Sequence, residues 1–435
     1  MKNIDQLFKT ADRNILCNTA YPYRKELYQT YIAAEDLFED THELSFYVHI
    51  PFCRQLCSFC EYTRFPAGNE VVEERYIYLL QEQIKHFLEN HTIDKVYGLD
   101  IGGGTPTSLR TEQFIHLLQI SSDLEFAAAK SDDFEKSIEF SFSTIDEEKL
   151  KLISQFGFKR ISAGLQTSDR RILTRAGREI TENVAIKDTL EKAHDNGIEK
   201  VNLDLMYGMV GQDEESIDQT IAEIGFLTPE QVTVYETRYN LGRNVPKLIT
   251  REKQYLQYSR LYDGLLSLGY KGRFGANTFS RSGDDGMSSY IRNRMRYGTP
   301  YKGFGISAQS MSRTGLSYGI LKNAEKADII SIHELTEGYN YLLPKDELAA
   351  KYVSVAMYGG EFYLSVLDDI LGEPAKKYYY DELSFLEQHS YADIIGGKVT
   401  LTQLGFRYYG AIAALFWSKA QKQALINYGE DKKDE

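Results

Sequence analysis

YVHIPFCRQLCSFCEY, residues 47–62, places Cys53, Cys57 and Cys60 in a C-x3-C-x2-C spacing directly after a strand-like run that meets Pro51. Proline cannot donate to a strand ladder, so the run stops there and aims the loop that follows. The fourth cysteine, Cys17, stands far upstream without a partner motif, which excludes a disulfide framework. In a reducing compartment, clustered thiols are metal ligands more often than staples. A 4Fe-4S cluster takes thiolates on its irons, and three cysteines leave one iron open to an exogenous ligand. An electron-carrying ferredoxin would close that position with a fourth cysteine. A zinc site completed by His49 is the other metal reading.

Composition bounds the rest. With 435 residues and 42% hydrophobic content, the chain is long enough for one large domain and a smaller one. The formal charge of −13 repels nucleic-acid phosphate, so nucleic acid is not an expected partner. No stretch approaches the roughly 18–20 apolar residues of a membrane span, and MKNIDQLFKTADRN lacks a basic-then-apolar export signal. A cytoplasmic protein with no membrane partner is expected.

Outward from the cysteines, strand-like runs recur at 45–50, 95–102, 137–143, 159–166, 200–208 and 231–238. Segments of helical period such as EERYIYLLQEQIKHFLEN and TENVAIKDTLEKAHDNG lie between them. Six alternating units predict an α/β fold with a parallel sheet, curved into a partial (β/α)6 TIM-like barrel whose active groups gather at the strand ends. The expected division is a lead segment at 1–40, the barrel at 41–270, a smaller and mainly helical C-terminal substrate or lid domain at 271–428, and a disordered tail at 429–435. Within it, 322–350 reads as helix broken at Pro344.

Further residues stand at those strand ends. GGGTPT at 102–107 holds Gly103, Gly104 and Thr105, and its glycines either let backbone approach a ligand closely or simply make a tight turn. Glu139, in SIEFSFST, is placed to accept hydrogen bonds from a ribose diol or an ammonium, unless it is merely solvated. Asp204, in VNLDLMYG, sits among apolar neighbours where a carboxylate is costly without a partner. Gln166 lies in SAGLQT and Arg178 in LTRAGRE, with a structural hydrogen bond and a surface ion pair as their plainer readings.

C-x3-C-x2-C with Phe59 before the third cysteine resembles the signature of the radical S-adenosylmethionine (SAM) superfamily. The phrase YVHIPFC is similar to one branch, the oxygen-independent coproporphyrinogen III dehydrogenase-like class, whose relatives include a haem chaperone and anaerobic haem-degrading methyltransferases. The resemblance runs from about residue 44 to 310, with a weaker echo in LTQLGFRYYG at 401–410. It implies a 4Fe-4S cluster on Cys53, Cys57 and Cys60, with one or two SAM molecules. The SAM pocket it implies is made by Gly103, Gly104, Thr105, Glu139, Gln166, Arg178 and Asp204, with Tyr47, Phe59 and Tyr62 lining it. Reductive cleavage of SAM to a 5'-deoxyadenosyl radical, fed by a flavodoxin or ferredoxin-type reductant, is the implied chemistry. The implied substrate is an anionic small molecule, porphyrin or haem among the candidates, and a haem chaperone without turnover is the alternative.

The match departs from its subfamilies in two places. Tyr62 stands where the dehydrogenases carry an extra cysteine, and no histidine occurs between His194 and His333, where the chaperone branch has its haem ligand. The segment 271–313 is a basic island, with Lys271, Arg273, Arg281, Arg292, Arg294, Arg296, Lys302 and Arg313 against Asp284 and Asp285. Guanidinium forks match carboxylates, so Arg292 and Arg294 are candidate contacts to propionates or to a second SAM, unless the island only pairs with acidic helices.

Overall fold

The computed structural model describes residues 2–14, 21–22, 25–238, 250–319, 335 and 337–431. Six parallel strands form its centre: β1 (Glu43–Ile50), β2 (Lys95–Gly103), β3 (Lys136–Phe140), β4 (Arg160–Gln166), β5 (Lys200–Tyr207) and β6 (Gln231–Glu236). They pair in chain order, β1-β2-β3-β4-β5-β6, with helices in the crossovers. The α/β class and the six-strand parallel core are as the sequence predicts.

Alternation along these strands sorts two faces. Phe46, Val48, Ile101, Ile138, Ile161, Leu203 and Val232 are buried in one large apolar cluster shared with the crossover helices. The intervening positions Tyr47, Asp100, Glu139, Ser162, Asn202, Asp204 and Thr233 are polar and fall on the other face. Register aligns them across the sheet, with Tyr47 opposite Asp100, Glu139 opposite Ser162 and Asp204 opposite Thr233. The helix Glu70–Asn90 covers the apolar face with Val72, Tyr76, Ile77, Leu80, Ile84 and Phe87 at three- and four-residue spacing, and the Asn69 side chain caps it by accepting from Val72 N. Burying one such side chain contributes roughly 1.5–3 kcal/mol.

The sheet continues beyond the six strands. Thr278–Ser280 pairs antiparallel with β6, and Tyr301–Phe304 runs parallel to β1. From there Gln309–Met311, Gly315–Gly319, Glu337–Leu342 and Ile32–Ala33 complete the far edge. The helical expectation for 322–350 is therefore corrected over Glu337–Leu342, which is a strand, and Pro344 caps the helix Lys345–Ala356 instead of breaking one. Residues 320–334 lie outside the described part, as do Cys17, His333 and tail residues 432–435; Gly429–Asp431 continue the helix Lys419–Asp431.

A second apolar core joins the two ends of the chain. Leu7, Phe8 and Ala11 of the helix Lys2–Asn14 pack with Leu383, Phe385, Ile412 and Leu425, and the Phe8 ring stacks on Tyr391 at 5.3 Å. Beside this core, Glu347 is fully buried and accepts hydrogen bonds from the Tyr21 hydroxyl and, at 2.7 Å, from Ser418 Oγ. No helix among the described residues is long and apolar enough to cross a membrane. Replacing Glu347→Ala leaves two buried hydroxyls unmatched and is expected to cost about 1–3 kcal/mol, read as a lower urea midpoint for the transition that reports this core.

Candidate functional site

The cysteine loop is closed at its base. Phe52–Cys53 pairs parallel with Phe65–Pro66, and Phe65 N donates to Pro51 O at 2.7 Å while Ala67 N donates to Cys53 O at 2.9 Å. Arg64 folds beneath the loop and donates to the Cys60 carbonyl at 2.9 Å and the Cys57 carbonyl at 2.5 Å. Phe59 packs with Ile172, Ala176, Met206 and Met209, fastening the loop to the turn after β4. Burial pushes the Cys53 thiol up to about 11 and raises Cys60 as well. Thr105 Oγ1, which donates to Cys53 Sγ at 3.7 Å, leans the other way, and Arg178 Nη1 donates to Cys57 Sγ at 3.8 Å.

The three thiols lie within Coulomb range of one another, yet among the described residues no three Cys, His, Asp or Glu side chains converge tightly enough to hold a single metal ion. Three thiols suit three irons of a cluster with the fourth open, whereas zinc takes four ligands. His49, the candidate fourth zinc ligand, has both ring nitrogens engaged, Nδ1 with the Tyr47 hydroxyl at 3.3 Å and Nε2 with the Thr63 carbonyl at 3.1 Å. Burial lowers it to about 4, leaving it neutral.

The glycine loop lies directly against the cysteine loop. Gly104 N donates to Ile50 O at 2.8 Å and Thr105 N to Phe52 O at 2.7 Å. A Cβ on Gly104 would stand 2.7 Å from both of those carbonyl oxygens, and one on Gly103, at φ +108°, would stand 2.3 Å from the His49 ring. One on Gly102 would stand 2.5 Å from the Glu139 carboxyl carbon. The space these glycines vacate is thus taken first by protein. Gly103 still turns its N–H to Glu139 Oε2, at 3.1 Å.

Three carboxylates share the polar face. Burial raises Glu139 to about 8, aided by the neighbouring charge of Asp204, and raises Asp204 to about 6 and Asp100 to about 7 against the pull of Arg160. Asp204 accepts from Asn202 Nδ2 at 2.7 Å. Asp100 accepts from Ser288 Oγ at 2.6 Å, and its buried Oδ1 has no hydrogen-bond partner. Glu139 and Tyr62 both expose surface, Tyr62 64% of its full area, although burial is the first cause of their raised values. The polar face to which Glu139 and Tyr62 belong is therefore reached by solvent.

Most of the predicted pocket residues lie on or beside this polar face. Gln166 sits on a bulge of β4 at φ +69°, and its amide and the Arg178 guanidinium crowd Gly164, the register partner of Asp204. Arg178 donates to the Gly164 carbonyl. Tyr47 stacks on Tyr290 at 5.8 Å and 22°. Phe59 alone is packed into apolar surroundings. Asp100, Arg160, Asn202 and Tyr290 belong to the same surface and escaped sequence reasoning, although alternation within GLDIG and VNLDL marks Asp100 and Asn202 as facing Glu139's side.

The basic island divides. Arg292 is held by Asp285 at 2.8 Å and Asp133 at 3.1 Å, and Arg296 by Asp285 at 3.0 Å. Arg273 and Arg296 both face Glu361 at 3.6 Å, and Lys302 lies over the rings of Phe38, Phe87 and Phe304. Arg292 is thus a structural ion pair, which corrects its candidacy as a ligand contact, whereas Arg294 has no carboxylate partner among the described residues.

Residues 47–224 match the radical SAM superfamily model, and the chain carries a radical SAM domain. Within that class its homologues are the oxygen-independent coproporphyrinogen III oxidases and the heme chaperone HemW. It is 32% identical to HemW of Bacillus subtilis (strain 168) over 44% of this chain and 49% of that one. Identity to oxygen-independent coproporphyrinogen III oxidase of Escherichia coli (strain K12) is 30%, over 49% of each chain. An anaerobic coproporphyrinogen III oxidase of Cereibacter sphaeroides is 29% identical over 77% of this chain and 76% of its own length. The match to the two HemW relatives of Bacillus subtilis and Haemophilus influenzae spans about half their length. The solved structure of coproporphyrinogen III oxidase (HemN) from Escherichia coli shares the fold, with TM-score 0.69 and 22% identity over 90% of this chain and 93% of that chain.

Gly104→Ala forces two carbonyl oxygens apart and is expected to destabilise the protein by about 1–3 kcal/mol. Iron and sulfide counted per chain after anaerobic reconstitution should fall with it, while Gly359→Ala, where a Cβ would meet only the Met295 and Met287 methyls at 3.8 and 3.9 Å, keeps the iron count.

Proposed function

We propose that the chain is a radical SAM enzyme acting on an anionic, tetrapyrrole-like substrate held at the polar face. The observation that carries this reading is the convergence of three thiols, the Gly103–Thr105 loop and Glu139 at the ends of the first three parallel strands, above a polar interior face. Cys53, Cys57 and Cys60 would hold three irons and leave the fourth vacant. When bound, a 4Fe-4S cluster supplies the electron and the open iron at which SAM is cleaved to a 5'-deoxyadenosyl radical. Glu139 is placed to accept from an ammonium or a ribose diol, with its own position set by Gly103 N. Arg178, Gln166 and Asp204 form the opposite side of the pocket, and Tyr47 lines it. The enclosing strands and the two closed loops restrict bulk water around a reactive radical. Thiols kept reduced for a cluster suit the cytoplasm, where a flavodoxin or ferredoxin-type protein is the reductant in this reading. One or two SAM molecules fit the same proposal.

The relatives named as coproporphyrinogen III oxidases support the tetrapyrrole, and the HemW relatives support a second reading, a haem carrier without turnover. One experiment separates them. Protein reconstituted anaerobically with iron and sulfide, then given dithionite and SAM, is expected to release 5'-deoxyadenosine, measured by mass spectrometry. Single Cys53→Ala, Cys57→Ala or Cys60→Ala variants should lose both the cluster absorption and that product. A stoichiometric haem Soret band without 5'-deoxyadenosine would favour the carrier, and about one zinc per chain with no cluster signal would overturn both the cluster and the enzyme.

A further inference from the structure

Arg64 stands at the end of the cysteine loop, immediately before the Phe65–Pro66 pair that closes it. From there its side chain turns back beneath the loop and spends its terminal nitrogens on main-chain carbonyls. Nη2 donates to Cys57 O at 2.5 Å, and Nη1 donates to Cys60 O at 2.9 Å and Tyr62 O at 3.2 Å. The first two carbonyls belong to residues whose thiols are the proposed iron ligands. Cys57 O also accepts from Cys60 N at 3.2 Å, so this carbonyl ties the second and third cysteines together and the guanidinium grips the same knot. A planar fork holds both cysteine carbonyls in one fixed geometry, which a compact ammonium on a flexible stem does not.

The charge on Arg64 is not spent on a carboxylate. Its hydrogen-bond acceptors among the described residues are carbonyl oxygens, and its Nε is buried without one. Glu61, the acid nearest to it in the sequence, pairs with Arg238 at 3.2 Å instead. Arg64 lies within Coulomb range of the Cys53 and Cys60 sulfurs, while Arg178 serves the Cys57 sulfur at 3.8 Å. Charges in a poorly solvated loop act on one another more strongly than charges in bulk water. An electron added to an iron-sulfur group on these thiolates increases the negative charge that Arg64 faces, so the cation favours the reduced form over the oxidised one.

We propose that Arg64 is a positioning residue for the cluster: its fork fixes the ligand loop, and its charge raises the potential at which the cluster accepts an electron. The inference rests on the cluster reading of the three thiols and goes beyond it, since ligation itself requires only the cysteines. The step it assists is the transfer of one electron from a flavodoxin or ferredoxin-type donor, which is oxidised, to the 4Fe-4S group, which is reduced, with no bond made or broken in the loop.

Full-length wild type, Arg64→Lys and Arg64→Gln are reconstituted anaerobically with iron and sulfide and then titrated with dithionite under EPR. Both substitutions lose the fork, and each is expected to release iron to a chelator about tenfold faster than wild type. Only Arg64→Gln also loses the charge, so its midpoint potential should move to more negative values while that of Arg64→Lys stays near wild type. Thermal melting of the apo chains, expected to match wild type, separates these effects from misfolding. An unchanged midpoint in Arg64→Gln, an equal shift in both variants, or wild-type iron release from both would each overturn the proposal. So would loss of the cluster from both variants in apo chains that melt early, which would make Arg64 a part of the fold alone. A cluster kept by Arg64→Lys and refused by Arg64→Gln, in apo chains that melt alike, would uphold the charge through retention. About one zinc in the wild type with no EPR signal would sink the cluster and the proposal with it, whereas every other outcome is read beside a wild type that shows the cluster.

Discussion

Two backbone hydrogen bonds, from Gly104 to Ile50 and from Thr105 to Phe52, hold the ends of two neighbouring strands together as one surface. Each loop alone would be mobile, since connecting segments ordinarily run free over a domain. Joined, they bring a carboxylate, a glycine N–H and three thiols into one region without a long-range salt bridge to hold them. The cost is a strict requirement at 102–104, where His49, Glu139 and the Cys53 strand each occupy the volume that a β-carbon would need.

The interior is electrically lopsided. On the polar face stand Asp100, Glu139 and Asp204, three acids sharing the influence of one arginine, Arg160, with Asp204 and Asp100 both adding to the proton affinity of Glu139. On the side supplied by residues 290–351 stand Arg294 and Lys351, two cations in reach of each other.

The cysteine spacing, the glycine triplet and the six strand runs were legible because each is a local pattern: thiols within eight residues, a turn after a strand, a β/α period. Less local features were not. Thr278–Ser280, Tyr301–Phe304 and Gln309–Met311 are three or four residues long, and glycines at 303, 305, 315 and 319 interrupt the pattern around them, so no period emerges. Glu337–Leu342 contains alternating tyrosines, but its partner strands are equally short and lie elsewhere in the sequence. The basic island shows the limit most clearly. Arg292, Arg294 and Arg296 are alike in sequence, and only the folded positions of Asp133, Asp285 and Glu361 tell the neutralised guanidiniums from the bare one. The alternation of polar and apolar residues within the parallel strands was visible as well, and it departs from the continuous apolar runs usual when both faces of a parallel sheet are dry.

The helix Lys2–Asn14 rests on elements more than 370 residues later in the chain, among them Tyr380–Gln388, Tyr409–Leu415 and Lys419–Asp431. A ribosome makes this helix before its seat. During synthesis the apolar stripe of Leu7, Phe8 and Ala11 has nothing of its own to cover it, while the β/α units emerge and close in order behind it. Completion of the second core is consequently a late, long-loop event, and the cell's chaperones have that interval in which to shield the stripe.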